Sequence, residues 1–254
     1  MNRDTARCVA RVLGIRIDPT TWDDALRQLS IWASKNESRY VCVCNVHSVV
    51  TAGHDMEFDH IIEEADIVTP DGAPVAWMLS RFGYPGQQRI NGPDLMWRYC
   101  EKAAMTGEPI YLYGGMPETL DILQRRLMQT FPGLLIAGAY SPPFRELMKE
   151  EDETVVARIN ASGARTVWVS LGCPKQEKWM AAHRGRIQAV MIGVGAAFDY
   201  HAGTLNRAPK WMQNAGFEWL HRLISEPRRL WKRYLITNTV FVVLAARQLL
   251  FRRK

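Results

Sequence analysis

Short, uninterrupted apolar runs recur along this chain, each followed by a stretch of helical length, and that alternation restricts the fold more than any other feature. Tyr40 to Cys44 is a β-branched and cysteine run; Val46 to Ile62 reads as a helix, Ala65 to Thr69 as a strand and Ala73 to Phe82 as a second helix. Leu95 to Thr106 reads as helical and Pro109 to Tyr113 as a strand. Gly114-Gly115 turns the chain, and Pro117 with Glu118 opens a helix to Thr130. Further strands at Leu134 to Tyr140, Thr166 to Leu171 and Ala189 to Gly193 are separated by helices at about Glu146 to Ser162 and Pro174 to Arg184. Strands without polar alternation are buried on both faces, so the pattern predicts an α/β fold with a mostly parallel sheet covered by helices on both sides.

The charge is as uneven as the structure pattern is regular. Lys210 to Lys254 holds ten Lys or Arg against Glu218 and Glu226, a net +8 in a chain of +6, so the preceding residues carry about −2. Trp211, Phe217, Trp219, Trp231, Tyr234 and Phe241 are interleaved with those charges, and Leu220, Leu223, Ile224, Leu230, Leu235 and Ile236 add aliphatic surface. An anionic partner with an apolar phase fits that mixture, as a bilayer surface does and a nucleic acid does not. Arg222, Arg229 and Arg233 fall at i, i+7 and i+11, which would place them on one helix face. Gly203, Asn206 and Pro209 mark a boundary, giving residues 1–205 as a catalytic core and 206–254 as a basic helical appendage.

Other compositional features set the compartment. Cys8, Cys42, Cys44, Cys100 and Cys173 are odd in number and scattered, which suits a reducing cytoplasm. Met1 to Ala10 holds Arg3, Asp4 and Arg7 and lacks an apolar run of signal length, and Thr239 to Ala246 is too short to span about 30 Å of hydrocarbon. The expected localisation is cytoplasmic, peripheral at the inner face of the cell membrane, with the basic residues of Gln248 to Lys254 in the headgroup layer.

Sheets of this kind bind ligands at the carboxyl ends of their strands, which selects a handful of loops. In Thr69-Pro70-Asp71-Gly72 the carboxylate of Asp71 sits on a tight turn over the sheet edge; it could be a general base, or it could simply cap the next helix. Tyr113-Gly114-Gly115 before a helix start could face phosphate with backbone N–H groups, or be an ordinary βα connection. Gly172-Cys173-Pro174-Lys175-Gln176-Glu177 offers more donors than a helix start needs. Gly193-Val194-Gly195 imitates a dinucleotide fingerprint whose third Gly is replaced by Phe198. No HExxH, paired Cys or Asp-x-Asp arrangement is present, so a metal site has no support in the sequence.

Taken in order, Asp66-Ile67-Val68-Thr69-Pro70-Asp71-Gly72, Arg89-Ile90-Asn91-Gly92-Pro93-Asp94, Tyr113-Gly114-Gly115, Leu171 to Glu177, Gly193 to Asp199, and Arg207-Ala208-Pro209 with Glu218 to Leu223 resemble the WecG/TagA/CpsF family of bacterial glycosyltransferases, glycosyltransferase family 26. The resemblance covers Val41 to Tyr234. It implies a Rossmann-like fold and a metal-independent, cofactor-free, inverting enzyme. Such an enzyme moves a sugar from a UDP-sugar to a polyprenyl-diphosphate-linked acceptor at the membrane face, and self-associates through its core. Asp71 matches the family's proposed base, and Asn45, Arg89, Gln176 and Asp199 match its nucleotide-sugar contacts. Gly114, Gly115 and Gly195 lie in the loops that would hold the nucleotide. Arg222 and Arg229 match the appendage arginines, with Lys232 or Arg233 in place of a third. Where members often carry Thr two residues before the Asn, this chain has Val43, so the donor class stays a hexose or N-acetylhexosamine-type sugar for cell-surface or exopolysaccharide synthesis. Two other classes compete: a nicotinamide-dependent oxidoreductase using Gly193 to Phe198, and a non-catalytic peripheral membrane-binding adaptor that needs only the tail.

Overall fold

The computed structural model describes residues 9–251. Cys8, the charges at Arg3, Asp4 and Arg7, and the terminal Arg252, Arg253 and Lys254 lie outside the described residues. Along the chain run β1 (Ala10–Val12), β2 (Ile15–Ile17), α1 (Trp22–Ser34), β3 (Arg39–Cys44), α2 (Val46–Ala52), α3 (Met56–Glu64), β4 (Ile67–Pro70), α4 (Ala73–Arg81), α5 (Gly92–Thr106) and β5 (Ile110–Gly114). They are followed by α6 (Pro117–Thr130), β6 (Ile136–Tyr140), α7 (Lys149–Ala161), β7 (Thr166–Ser170), α8 (Lys175–His183), β8 (Val190–Gly193), α9 (Ala197–Ala202), α10 (Lys210–Asn214), α11 (Glu218–Ser225) and α12 (Pro227–Leu250). The fold is α/β and Rossmann-like, with a six-stranded sheet in the order β4-β3-β8-β7-β5-β6.

Two compact units make up the chain, one of residues 22–43 and 91–206, the other of residues 9–21, 44–90 and 207–251. In the first, all four ladders from β3 through β8, β7 and β5 to β6 are parallel. Val167, Trp168 and Val169 of β7 and Val190, Met191 and Ile192 of β8 are shut off from solvent, which is why their sequence shows no polar alternation. Two parallel neighbours need a helical crossover between them, and α6, α7 and α8 supply it.

The second unit contains the antiparallel hairpin β1-β2, which sequence patterning did not reveal because three-residue strands are too short to show a period. Its buried Arg16 makes a two-pronged pair with buried Asp18 and reaches the carbonyls of Glu63 and Ala65 at the end of α3. A cation there suits the negative end of that helix, and full pairing offsets the cost of burying both charges. Asp18 also accepts from the Val68 N–H, while its own N–H donates to the Val68 carbonyl, so the hairpin fixes β4.

Helix breaks account for two corrections. The expected single helix from Val46 to Ile62 is α2 and α3, interrupted at Gly53 and restarted by Asp55, whose side chain accepts from the Phe58 N–H. The predicted shared face for Arg222, Arg229 and Arg233 does not form, because Arg222 lies on α11 and the other two on α12. Pro227 opens α12, and Glu226 before it has φ −132° and ψ 55°, outside helical geometry, so spacing counted across that break has no meaning. α12 packs on α2 and α11 and buries Leu230, Thr237, Phe241 and Ala245, leaving Trp231, Leu235, Ile236, Val242 and Val243 in solvent. Among the described residues no helix is long and apolar enough to cross a membrane.

Candidate active site

Asp71 immediately follows β4, and backbone hydrogen bonds hold it from both sides. Its N–H donates to the Cys44 carbonyl at 2.9 Å, and the Ile90 N–H donates to the Pro70 carbonyl at 2.9 Å. Thr69 Oγ1 donates to the Ile90 carbonyl at 3.2 Å. The capping alternative for Asp71 fails: the cap position of α4 belongs to Gly72, with φ 82°, and no side chain caps the helix. A left-handed φ at that position suits Gly and leaves the preceding carboxylate free of the usual capping duty.

The electrostatics around that carboxyl are mixed. Burial pushes it up to about 6; Arg89 opposes the rise, Glu218 adds to it, and the Gly72 N–H and Arg207 oppose it again. Asp71 nevertheless keeps partial exposure. Above about pH 6 it is therefore an anion, basic enough to take a proton and open enough to meet one.

Glu218 was not singled out by sequence reasoning, and the structure gives it two cationic partners. Arg89 Nη1 lies 2.8 Å from one carboxylate oxygen and Arg207 Nε 3.3 Å from the other, all three side chains being 17–18% exposed. The available signal was its rarity: Glu218 and Glu226 are the two acids of the basic tail. Glu226 likewise meets two predicted residues, Arg229 at 2.6 Å and Arg222 at 3.7 Å.

Other predicted residues of this unit fall nearby. Asn45 caps α2, its Oδ1 accepting from the His47 and Ser48 N–H groups, and its Cβ lies 3.9 Å from where a Cβ on Gly72 would stand. Burial, with a further push from Arg233, lowers His47 to about 4, so it is neutral at physiological pH. Tyr234 is held up by burial and senses Arg222, Arg233, Asp71 and Glu218. Lys232 instead lies over the exposed Trp231 ring, 5.5 Å from its centroid.

Of the remaining predicted residues, all in the sheet-bearing unit, Gly115, Gly195 and Gln176 belong to one hydrogen-bonded chain. Gly115 N–H donates to the Ser170 carbonyl at 3.0 Å, and Ser170 Oγ donates to the Gly195 carbonyl at 2.6 Å. The Gly195 N–H donates to Gln176 Oε1 at 3.0 Å, and Gln176 Nε2 donates to Glu177 Oε1 at 2.8 Å. Gly114 has φ 107°, and a Cβ there would stand 2.4 Å from the Ser170 carbonyl oxygen. The double glycine thus meets a close approach between strand ends, and the Gly115 N–H is engaged within the protein. Asp199 sits in the first turn of α9, with Thr204 Oγ1 donating to its carbonyl at 3.2 Å. Ser170, the hub of this chain, was missed because it closes an apolar strand, while Glu177, read in the sequence as one of a donor set, ends the chain as a buried acceptor of the Gln176 amide.

Glu177 has no exposed surface, and burial pushes it up to about 7. Replacing Gln176 with Leu should therefore strand the Gly195 N–H and take one donor from a buried carboxyl, lowering stability by about 1–3 kcal/mol. Urea unfolding midpoints of wild type and Gln176→Leu check this; equal midpoints would mean that Gln176 does not tie these loops. Among the described residues no group of three or more His, Cys, Asp or Glu is placed to hold a metal ion.

A parallel α/β sheet with polar and glycine-bearing loops at the carboxyl ends of its strands defines a Rossmann-like protein. The family model for glycosyl transferases of the WecG/TagA/CpsF family matches residues 10–254. The N-acetylglucosaminyldiphosphoundecaprenol N-acetyl-beta-D-mannosaminyltransferase of Bacillus spizizenii is 31% identical over 205 residues, 80% of this chain and 77% of that relative. The chain belongs to the WecG/TagA/CpsF family of glycosyltransferases, and the match extends beyond the segment whose motifs carried the resemblance.

Proposed function

We propose that this protein is a metal-independent, inverting transferase. It moves a hexose or N-acetylhexosamine-type sugar from a UDP-sugar to a polyprenyl-diphosphate-linked acceptor for a cell-surface polysaccharide. The observation that carries this is Asp71: a partly exposed, uncapped carboxylate at a strand end, ionised at neutral pH and flanked by arginines. The acceptor named for the Bacillus spizizenii relative supports the lipid-diphosphate half of the reading.

In the reaction, Asp71 takes the proton of the acceptor hydroxyl as its oxygen bonds to the anomeric carbon. The bond from that carbon to the UDP oxygen breaks on the opposite face, and UDP leaves with the electron pair. Asn45, Arg89, Gly114, Gly115, Gln176, Gly195 and Asp199 are assigned to the donor. For Gln176 the assignment is through the Gly195 loop that its amide holds. Arg222, Arg229, Lys232 and Arg233 are assigned to diphosphate charge. Purified protein with a panel of UDP-sugars, a detergent-solubilised lipid-diphosphate-sugar acceptor and EDTA tests the reading. UDP release with one sugar supports it; silence across the panel, with UDP failing to raise the melting temperature, favours the adaptor.

Residues 206–254 form the proposed membrane-facing appendage, placing the enzyme at the inner face of the cell membrane. Leu235 and Ile236 are 63% and 60% exposed on a helix that also carries Arg229, Lys232 and Arg233. Changing both to Ser should weaken binding to anionic vesicles by roughly tenfold or more, since each loses the gain of burying an aliphatic side chain. Sedimentation with phosphatidylglycerol vesicles reads this directly, and unchanged binding would remove α12 from the contact.

A further inference from the structure

Both oxygens of Glu218 are engaged by cations, one by Arg89 and the other by Arg207. The backbone beside Arg89 is fixed without it, by the Ile90 N–H on the Pro70 carbonyl and by Thr69 Oγ1 on the Ile90 carbonyl. The Arg89 guanidinium is what Glu218 holds, at 2.8 Å, while its other oxygen holds Arg207 at 3.3 Å. A second contact seats the same segment. Gly216 has φ 78°, and a Cβ on it would lie 3.0 Å from the Ala73 Cβ, so the turn before α11 rests on the first residue of α4.

A largely shielded cluster of one anion and two cations repays its desolvation only in good geometry, and fixing a single arrangement is the best attested use of such a cluster. Here the arrangement concerns Asp71, which feels both guanidiniums. A guanidinium settled on a carboxylate occupies the lone pairs that would take a proton.

We propose that Glu218 is a positioning residue: by sharing its carboxylate between Arg89 and Arg207 it keeps both guanidiniums off Asp71, which stays basic and open to an acceptor hydroxyl. The consequence for turnover rests on Asp71 being the base; the clamp itself does not.

Among the described residues, Arg89, Glu218 and Arg207 act on the Asp71 carboxyl, and Tyr234 in turn feels it. The test follows the Asp71 carboxyl carbon by NMR across pH in wild type, Glu218→Gln and Arg207→Gln, with Asp71→Asn identifying the signal. Glu218→Gln removes a neighbouring anion and the ion pairs it makes with Arg89 and Arg207, so the midpoint should move down by about one pH unit or more. Arg207→Gln removes a cation, so the midpoint should move up. Opposite shifts support the clamp. Unmoved midpoints, with only the folded fraction changed, or shifts of the same sign, overturn it. Should Glu218→Gln fail to fold, Arg207→Gln decides alone, and the absence of an upward shift overturns the proposal. The acid limb of transfer activity should follow the same directions. Turnover surviving in Asp71→Asn would remove the base assignment, while the titration would still decide the clamp.

Discussion

Replacing Asp71 with Asn is expected to lower sugar transfer by about 10²- to 10⁴-fold, the range for losing a positioned general base, while UDP binding is retained. The amide is nearly isosteric and can still accept the Gly72 N–H, but it cannot take the acceptor's proton. Wild-type activity should fall as pH drops through about 6, where Asp71 becomes protonated. The same substitution should stabilise the fold. Burial raises the folded-state value from 3.8 to about 6, so between those values the native state binds more protons than the unfolded one. Stability then declines as pH rises through that window, and above it the buried charge costs at most about 3 kcal/mol, lessened by the partial exposure of Asp71. Asn carries no charge, so the variant should melt higher than wild type at pH 7.5 and lose that advantage towards pH 4. Calorimetry of both proteins across pH checks the stability half, and initial rates of UDP release check the catalytic half. An active, less stable Asp71→Asn would defeat both arguments, and the coupling of lost activity to gained stability is what distinguishes a strained functional carboxylate from a structural one.

Phe241→Ala should cost about 3–5 kcal/mol, a large share of the stability of an ordinary domain. Phe241 is 4% exposed on the α12 face that covers α2, in line with Leu230, Thr237 and Ala245. The far end of α12 is held separately, where the Gln248 amide accepts from the Leu13 N–H at 2.9 Å and donates to the Arg11 carbonyl at 2.9 Å. A cavity at Phe241 therefore cannot close by sliding the helix along its neighbour, and the loss should sit at the upper part of the range. Val242, its neighbour in sequence, is 65% exposed, and Val242→Ala should stay within about 0.5 kcal/mol of wild type. Paired urea titrations of the two variants make the comparison; equal effects would contradict the packing of α12 on α2. Loss of transfer in Phe241→Ala should track the folded fraction, since Asn45, which caps α2, lies beside the Asp71 turn.

The strands were legible because burial on both faces leaves an uninterrupted apolar run, and Thr166–Ser170 and Val190–Gly193 are such runs. Boundaries were less so. The break at Gly53 interrupts a segment whose apolar spacing continues through it, and the break before Pro227 separates arginines that a helical count had aligned. The hairpin of Ala10–Val12 and Ile15–Ile17 offers three residues a strand, too few for a period, and its place depends on Arg16 and Asp18 meeting α3 and β4.

Asp71 could be found from its own neighbours, because Pro70 and Gly72 dictate a tight turn after an apolar strand and a carboxylate on that turn has few places to point. The charge asymmetry of the tail is likewise a property of the chain itself. What Glu218 touches is not: Arg89 lies 129 positions away, and no spacing rule connects them. Within a helix or strand, geometry repeats and sequence distance predicts contact. Between segments, contact follows from how buried faces pack. The sequence by itself therefore determined the strands of the six-stranded sheet, the turn that carries Asp71 and the location of the positive charge. Only the tertiary structure decided that Gly72 rather than Asp71 occupies the cap position, that Gln176 is bound to Gly195 and Glu177, and that one acid in a basic segment holds two arginines beside the proposed base.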